Sequence, residues 1–595
     1  MYWLRGLPRC MQVQRNISKI AMQFTIEVNN RKINAEKGET IQSALNRNGI
    51  LIPTLCRMRD FTPTGACRMC VVEVEGRDRL VTACSQPVEE WMKIKTHSPR
   101  VIKARKTIVE LLLSNHPDDC LYCDRNLNCE LQKLSEELNI TERRIKGRKV
   151  KMRLDQSSPA IVRELSKCIL CGRCVRVCEE LVTATTLDFL NRGRRTHIGT
   201  AMDRDFNFSS CINCGQCVLV CPTGALHEKH NISEVLEYLS KNDVTRVIQY
   251  APAVPYALAE SLGVRYSKEF DRVLNSVLRK MGFDLVFNSG FATDIYIDEL
   301  ARSLLERRDA GTVAPVYLSA CPAWVKYAEQ HMPGLLGDIT PLKSAQQIAG
   351  SLIKTHIAEK RNIRPEKLFS VSVTPCIAMK FEARRDGMTR KGVSDIDAVL
   401  TVMELSRLVR LFGIDITNVG EEAADVPMDM RSSSALLADV SGGYTEAVCR
   451  SLNHIIGGKE LDRSVFRKVR SGSGFREVTL SVQGREFSFA VVDGLTSLSR
   501  LNALLSSGRK FDMVEVMVCP GGCVNGGGLS FSSTREMIRN RSKFIYQTEE
   551  AEAVAIASKS PALLSFYEKT EGFDSKGSEY RSLILTHYNR RDVLL

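Results

Sequence analysis

Twenty-one cysteines stand in a chain of 595 residues, and fifteen of them lie between Cys56 and Cys221 in short repeats. Thiols grouped this way in a long chain suit metal coordination, because disulfide frameworks belong to small secreted domains without a sufficient core. The most specific pattern is a unit C-x2-C-x2-C-x3-C that occurs twice: Cys168, Cys171, Cys174 and Cys178, then Cys211, Cys214, Cys217 and Cys221, followed by Pro222. Where such a unit is doubled, the fourth Cys of each run ligates the other run's [4Fe-4S] cluster. The spacing predicts one cluster on Cys168, Cys171, Cys174 and Cys221, and another on Cys178, Cys211, Cys214 and Cys217. Adjacent low-potential clusters of this kind pass single electrons.

Upstream, Cys56, Cys67, Cys70 and Cys84 follow C-x10-C-x2-C-x13-C. One tight pair with two lone thiols suits a [2Fe-2S] cluster on a β-rich loop better than a zinc ribbon, which draws on two short pairs. His116, Cys120, Cys123 and Cys129 form H-x3-C-x2-C-x5-C. That is also a zinc pattern, but among iron-sulfur runs it reads as a further [4Fe-4S] site, whose neutral His raises the potential above that of an all-Cys cluster. A last group is dispersed: Cys321 in LSACPAWVKY, Cys376 in VTPCIAMKFE, and Cys519 with Cys523 in EVMVCPGGCVNGGG. Each follows a strand-like run, the end at which α/β sheets place ligands. The glycines allow the backbone to approach an inorganic cluster that any Cβ would obstruct. Spacing alone leaves open whether these four are ligands or unrelated core residues.

The elements that must position these residues follow from hydrophobic period. From Phe24, FTIEVNNRKINAEKGETIQSALNRNG alternates apolar and polar residues, turns at Asn29-Asn30 and becomes helical from Ile41. Val71 to Val74 predicts another strand and 101 to 113 a helix. Beyond about residue 235 cysteine becomes rare. Strand-like runs (Val247 to Tyr250, Val316 to Ser319, Phe369 to Val373, Ala398 to Val402, Met513 to Val518) alternate with helix-like segments, which indicates an α/β domain. Hydrophobic residues at 44% and charged residues at 26% support packed cores and exclude a disordered chain. No run approaches the roughly 18 to 20 apolar residues of a spanning helix, so no direct membrane span is expected. The formal charge of +14 fits attraction of an acidic protein partner. An aromatic content of 6% gives no support to a stacking surface for nucleic acid, and no nucleic-acid partner is expected. Residues 1–22 carry Arg5, Arg9, Arg15 and Lys19 without an acid, which reads as a basic arm in preference to a presequence.

The motifs around the dispersed cysteines resemble the signatures TSCCPxW, MPCxxKxxE and ExMxCxxGCxxGGG of [FeFe]-hydrogenases. The N-terminal runs resemble the cluster modules of the large monomeric members, and the likeness extends from about Phe24 to Tyr588, including LTHY at 585 to 588. The implied fold is multidomain, α+β and α/β, with ferredoxin-like N-terminal cluster modules followed by an H-cluster domain. The expected divisions are a basic extension at 1–22, a [2Fe-2S] ferredoxin domain at 23–100, a His/Cys3 [4Fe-4S] domain at 101–150, a two-[4Fe-4S] ferredoxin domain at 151–235 and the catalytic domain at 236–595. The resemblance implies a [4Fe-4S] unit on Cys321, Cys376, Cys519 and Cys523, with Cys523 bridging to a diiron subsite that carries CO, cyanide and a dithiolate. The implied reaction is reversible heterolysis of H2, fed through one [2Fe-2S] and three accessory [4Fe-4S] clusters. Matching positions put Ala251, Pro252, Pro322, Gln346, Pro375 and Met517 around the diiron unit, with Lys343, Ser344 and Glu382 also in matching places. The implied partners are an acidic ferredoxin or another redox protein, and maturation proteins for the diiron unit. Flavin subunits are included for a bifurcating complex, because no GxGxxG on this chain supports flavin or NAD binding. The compartment expected is the cytoplasm, or a hydrogenosome or related organelle if residues 1–22 are a presequence.

The departures from the family pattern bear on rate. Ala320 stands for the first Cys of TSCCP, Met379 for the Lys of MPCxxK and Thr374 for its Met; Leu300 and Ser303 stand where the usual proton path has two glutamates, and Thr340 where it has a serine. Ala, Leu and Met have no titratable group, and general acid–base transfer typically contributes ~10²- to 10⁴-fold. The expectation is a slow ferredoxin-type hydrogenase with its cluster intact, or a route through water with Glu299, Asp298 or Thr340. One alternative is an H2-sensing regulator, because hydrogenases with this Cys-to-Ala change include forms assigned to sensing. Another is an electron-transfer subunit of an NADH dehydrogenase-like complex, which shares the N-terminal cluster order but not the motifs at Cys321, Cys376 and Cys519 to Cys523.

Overall fold

The computed structural model describes residues 23–149, 152–267, 269–312, 314–530, 534–569 and 578–592; the basic extension expected at 1–22 lies outside the described residues. The chain divides into two compact units, residues 1–116 with 130–149, and residues 117–129 with 150–595.

In the first unit the expected hairpin forms: Gln23–Val28 pairs with Arg31–Glu36, Val28 opposite Arg31. Its turn residues Asn29 and Asn30 have φ of 50° and 66°, a conformation that Asn tolerates and tight hairpins require. Strands Lys93–Lys95, Val71–Val74 and Val81–Thr82 complete a five-stranded mixed sheet. The alternation buries Ile26, Val28, Ile33 and Ala35 with Ile41, Ala44 and Leu45 of the helix Ile41–Arg47. The helix expected at 101 to 113 runs over Pro99–Asn115, because Ser98 caps it and Pro99 fills its first position. Its Arg105 is buried and donates to the carbonyls of Met69 and Val71, clamping the loop that carries Cys67 and Cys70.

The second unit contains two four-stranded sheets. One is wholly parallel, in the order Leu285–Asn288, Thr245–Tyr250, Leu368–Thr374, Ala398–Thr401. Of its two inner strands, Leu368–Thr374 is buried at every residue, as a parallel strand covered on both faces is. Tyr250 lies opposite Val373, and Thr374 opposite Thr401, so the chain leaves these strands at one edge. The other sheet orders Val316–Tyr317, Met513–Met517, Arg485–Asp493 and Phe475–Val482, with the first three parallel. The last two strands form a hairpin that the sequence reading omitted, as it did Leu285–Asn288. The strand expected to reach Val402 stops at Thr401, whose side chain accepts from the backbone of Glu404 in a capping box that starts the helix Val402–Leu411. Among the described residues no helix is long and apolar enough to cross a membrane.

Glu404 anchors more than its own helix. Lys380 Nζ bonds its carboxylate at 2.6 Å, and His230 Nδ1 lies 3.6 Å away. Burial alone would raise Glu404, but Lys380 and His230 outweigh it and hold the carboxyl down to about 2. Burial lowers His230, yet Asp124 and Glu404 overcome this and lift it to about 9. Lys380→Met removes the cation that bonds buried Glu404 at 2.6 Å and leaves only His230 beside it, and a cost of about 3–5 kcal/mol is expected, read as a lower melting temperature of the second unit. The raised His230 contributes stability that is fully present below its ordinary value of 6.5 and is lost as pH rises through about 9. His230→Gln should therefore melt with a flatter dependence on pH across that window; an unchanged slope would show that His230 contributes nothing there.

Candidate metal centres

In the first unit Cys56, Cys67, Cys70 and Cys84 converge. Cys56 is within hydrogen-bonding reach of Cys67 and Cys84, and Cys70 of Cys84. His116, in the same unit, is buried and follows the helix Pro99–Asn115. Its sequence partners Cys120, Cys123 and Cys129 belong to the second unit, where Cys120 opens the short turn Cys120–Tyr122.

Within the second unit the doubled runs interleave as their spacing predicts. Cys168, Cys171, Cys174 and Cys221 line one small cavity of about 20 Å³. Cys178, Cys211, Cys214 and Cys217 line another of about 20 Å³. The groups adjoin: the charges of Cys214, Cys211, Cys178 and Cys174 all act on Cys217. At the outer end, a Cβ on Gly224 would lie 2.5 Å from Cys123 Sγ, so the Cys120 loop packs against the turn after Cys221.

At the inner end the second run meets the dispersed cysteines. Gly215 has φ of 76°, and an added Cβ would fall 2.4 Å from Ile377 Cδ1 and 3.0 Å from Gly527 Cα. A Cβ on Gly527 would fall 2.7 Å from the Cys214 carbonyl oxygen. Two backbones thus meet where no side chain fits between them. Gln216 Nε2 donates across this seam to Cys519 Sγ at 3.2 Å and to the Asn525 carbonyl at 2.8 Å.

The four dispersed thiols, far apart in sequence, are brought together: the charges of Cys376, Cys321 and Cys519 all act on Cys523. Cys376 follows the strand Leu368–Thr374 of the parallel sheet, and Cys519 follows Met513–Met517 of the other. Cys321 caps the helix Pro322–His331, and burial raises its thiol against the opposing bonds from Val518, Trp324 and Ala323 backbone. Burial drives Cys519 and Cys523 well above the ordinary thiol range. Buried thiols ionise at a high cost unless cations neutralise them, and iron supplies that charge. Gly522 has φ of 95°, and a Cβ there would strike the backbone of Asp439, Val440 and Ser441. Asp439, pushed up to about 6 by burial, hydrogen-bonds Cys523 and accepts from the Ala253 N–H at 2.9 Å, tying Cys523 to the turn of Ala251 and Pro252.

The residues matched to the diiron pocket gather at the same strand ends. Ala251 N–H donates to the Val373 carbonyl, and Pro375 accepts from Gly528 N–H at 2.9 Å. Pro322 opens the helix after Cys321, while Met517 ends its strand within the core against which Ala320 and Cys321 pack. Gln346 Nε2 faces the Met379 carbonyl at 3.3 Å and Glu382 at 3.4 Å, and its buried Oε1 has no hydrogen-bond partner among the described residues. Glu382 also accepts from Ser344 at 2.7 Å, and Lys343 pairs with Asp395 at 2.6 Å. Met379 packs on Ala383, Ile396 and Val399, so an apolar contact stands where the family's lysine is expected. The neighbouring Lys380 does not substitute for it, being committed to Glu404 and to the Lys229 carbonyl. Leu300 is fully buried, Thr340 is buried and Ser303 is half-buried. Gln216, Asp439 and Lys326 were missed by sequence reasoning; each lies far along the chain from the cysteine it serves or faces.

Interleaved buried thiols, a glycine seam and an orphaned amide oxygen fit an iron-sulfur oxidoreductase whose catalytic cluster is fed by smaller ones. Residues 244–527 match the family described as iron only hydrogenase large subunit, C-terminal domain. Residues 21–99 match a 2Fe-2S cluster binding domain, 105–144 an NADH-ubiquinone oxidoreductase-G iron-sulfur binding region and 167–225 a 4Fe-4S dicluster domain. The NADP-reducing hydrogenase subunit HndD of Solidesulfovibrio fructosivorans is 36% identical over 96% of this chain and 100% of its own. Iron hydrogenase 1 of Clostridium pasteurianum is 32% identical over 94% and 99%. The solved apo [FeFe]-hydrogenase HydA1 of Chlamydomonas reinhardtii superposes with a TM-score of 0.54 at 27% identity, covering 61% of this chain and all of that one. The chain belongs to the [FeFe]-hydrogenase family and is an oxidoreductase with 2Fe-2S and 4Fe-4S domains and an H-cluster domain.

Gly527→Ala tests the seam. Overpacking of this kind costs about 1–3 kcal/mol, so the expected outcome is a lower melting temperature together with slower reduction of the accessory clusters under H2, followed by stopped-flow absorbance. Unchanged melting and rates would mean that the two backbones are not in contact.

Proposed function

We propose that the chain interconverts H2 with protons and electrons at an H-cluster held by Cys321, Cys376, Cys519 and Cys523, Cys523 adjoining the diiron unit. When bound, that unit supplies the heterolysis of H2. The cysteines charge-compensate the iron, the glycines exclude side chains, and Ala251, Pro252, Pro322, Gln346, Pro375, Met379 and Met517 wall the pocket. Cys56, Cys67, Cys70 and Cys84 hold a [2Fe-2S] cluster, and His116 with Cys120, Cys123 and Cys129 a [4Fe-4S] cluster. The doubled run holds two more, giving one [2Fe-2S] and three accessory [4Fe-4S] centres, within the divisions 23–100, 101–150, 151–235 and 236–595. The observation that carries this reading is the unbroken succession of thiol groups from Cys123 past Gly224, through the two cavities, to Cys376 and Cys519.

An acidic ferredoxin in the cytoplasm, attracted by the net positive charge of +14, exchanges electrons with this series. The name of the HndD relative, an NADP-reducing hydrogenase subunit, favours a second reading in which further subunits carry electrons to a nicotinamide. Turnover is slow because Ala320 cannot pass a proton and Leu300 interrupts the usual path. Glu299 offers a substitute: burial pushes it up to about 7 against the opposing hydrogen bond from Tyr580.

Infrared spectra of anaerobically maturated protein should show bands of bound CO and cyanide, with H2 uptake and evolution in the same sample. Their absence would leave only an electron-transfer subunit. Ala320→Cys returns a titratable thiol and should raise H2 evolution by about tenfold or more. A donor with a value near 7 is protonated below it, so evolution should fall as pH rises through about 7, and Glu299→Gln should abolish that limb together with residual turnover. Wild-type current in film voltammetry equal to that of Ala320→Cys would sink the interrupted-path reading.

A further inference from the structure

The helix Pro322–His331 starts directly after Cys321 and carries Lys326 into the interior, where the residue is 3% exposed. Its Nζ has no hydrogen-bond partner among the described residues and lies 4.4 Å from the centroid of the Phe381 ring. Arg385 and Arg591 approach the same ring at 5.6 Å and 5.1 Å. One carboxylate serves this group: buried Glu329 takes Arg385 through both terminal nitrogens and Arg591 Nε at 2.7 Å. Three cations thus share Glu329, and the ammonium is the one without a direct bond to it. A buried ammonium needs an anion, because desolvation otherwise costs more than packing returns. The same helix packs on the segment that leads into Cys211, because Gln330 Nε2, one turn on from Lys326, donates to the Ser209 carbonyl at 3.3 Å. The field of Cys211, which lines the cavity shared with Cys178, Cys214 and Cys217, reaches Lys326 from there.

We propose that Lys326 is the buried counter-charge of the cluster on Cys178, Cys211, Cys214 and Cys217, and that it sets the potential of this centre by stabilising its reduced form. The proposal rests on the cluster assignment made above. A thiolate-ligated cluster gains one negative charge when it takes one electron, with no bond made or broken, so a fixed cation nearby favours the reduced state. Cys214 acts electrostatically on Cys519 and is itself acted on by Cys376. This cluster is therefore the one that adjoins the catalytic cysteines. A cation beside it draws an electron to the last position before the active site. Lys326 acts through the cluster and is a positioning residue for charge; it touches no reacting atom.

The test uses the full chain, reconstituted anaerobically, as wild type, Lys326→Met and Lys326→Arg, with iron content and redox titration followed by electron paramagnetic resonance. In Lys326→Met one [4Fe-4S] couple should move to lower potential, with the oxidised-to-reduced ratio at fixed potential rising about tenfold. For a one-electron couple that is about 59 mV. The [2Fe-2S] couple should stay in place, and Lys326→Arg should restore the wild-type value. Iron lost from Lys326→Met but kept by Lys326→Arg would also support a charge that holds the cluster. Full iron with every couple unmoved in Lys326→Met, an equal shift in both variants, or iron lost from both would overturn the proposal. Cys211→Ser separates the underlying assignment: it should lose one cluster's iron, and full iron in that variant would defeat the ligand set whatever Lys326 does.

Discussion

Everything the second unit does with electrons depends on how closely two stretches of backbone can approach. Gly215 and Gly527 face each other without side chains, Gly527 against the carbonyl of Cys214 and Gly215 against Ile377 beside Cys376. A Cβ at Gly527 would lie 2.7 Å from the Cys214 carbonyl oxygen and 2.8 Å from Gly215 Cα, so one backbone would have to move away from the other. The interior transmits such a displacement because it is close-packed and has few voids to absorb it. Gln216 reinforces the seam by bonding Cys519 and the Asn525 carbonyl, so one amide ties the relay module to two residues of the glycine-rich loop.

The same closeness makes the structure electrostatically demanding. Thiols that burial alone would keep neutral are packed beside one another, and each one's charge raises its neighbours. The interior meets this demand with cations and polar bonds at chosen points: Arg105 at the loop of Cys67 and Cys70, backbone N–H groups at Cys321, Asp439 accepting from Cys523, and Lys326 toward Cys211. Metal binding and folding are coupled in such a design, because the ligands are tolerable together only once iron has neutralised them.

Around Cys321, Cys376, Cys519 and Cys523 the family's motif scaffold is kept while several chemistry-bearing side chains of the motifs are absent. Ala320 and Leu300 fit the packing, and Met379 rests against Ala383 and Val399. Lys343, Ser344, Gln346 and Glu382 keep a polar group on the other side, joined by hydrogen bonds and by the ion pair of Lys343 with Asp395. In the proposed site, holding a cluster and moving protons make separable demands, since the first needs shape and thiolates and the second needs titratable groups in series.

Sequence by itself determined much here, because iron-sulfur ligation writes itself in local spacing. Four thiols on a few turns of chain cannot avoid one another, and the placing of Cys221 with Cys168, Cys171 and Cys174, and of Cys178 with Cys211, Cys214 and Cys217, followed from the doubled unit. The hairpin at Asn29-Asn30 and the strands before Cys376 and Cys519 were legible from their period. The short strand Leu285–Asn288 and the hairpin Phe475–Val482 with Arg485–Asp493 were not recognised, although the latter alternates and turns at Gln483-Gly484. What only the tertiary structure decided is what depends on distant partners: the meeting of Gly215 with Gly527, the bond from Gln216 to Cys519, Asp439 at Cys523, and the commitment of Lys380 to Glu404 while Met379 faces the apolar cluster. No period or spacing encodes such pairs, because each is set by how the sheets and loops pack after the local elements have formed.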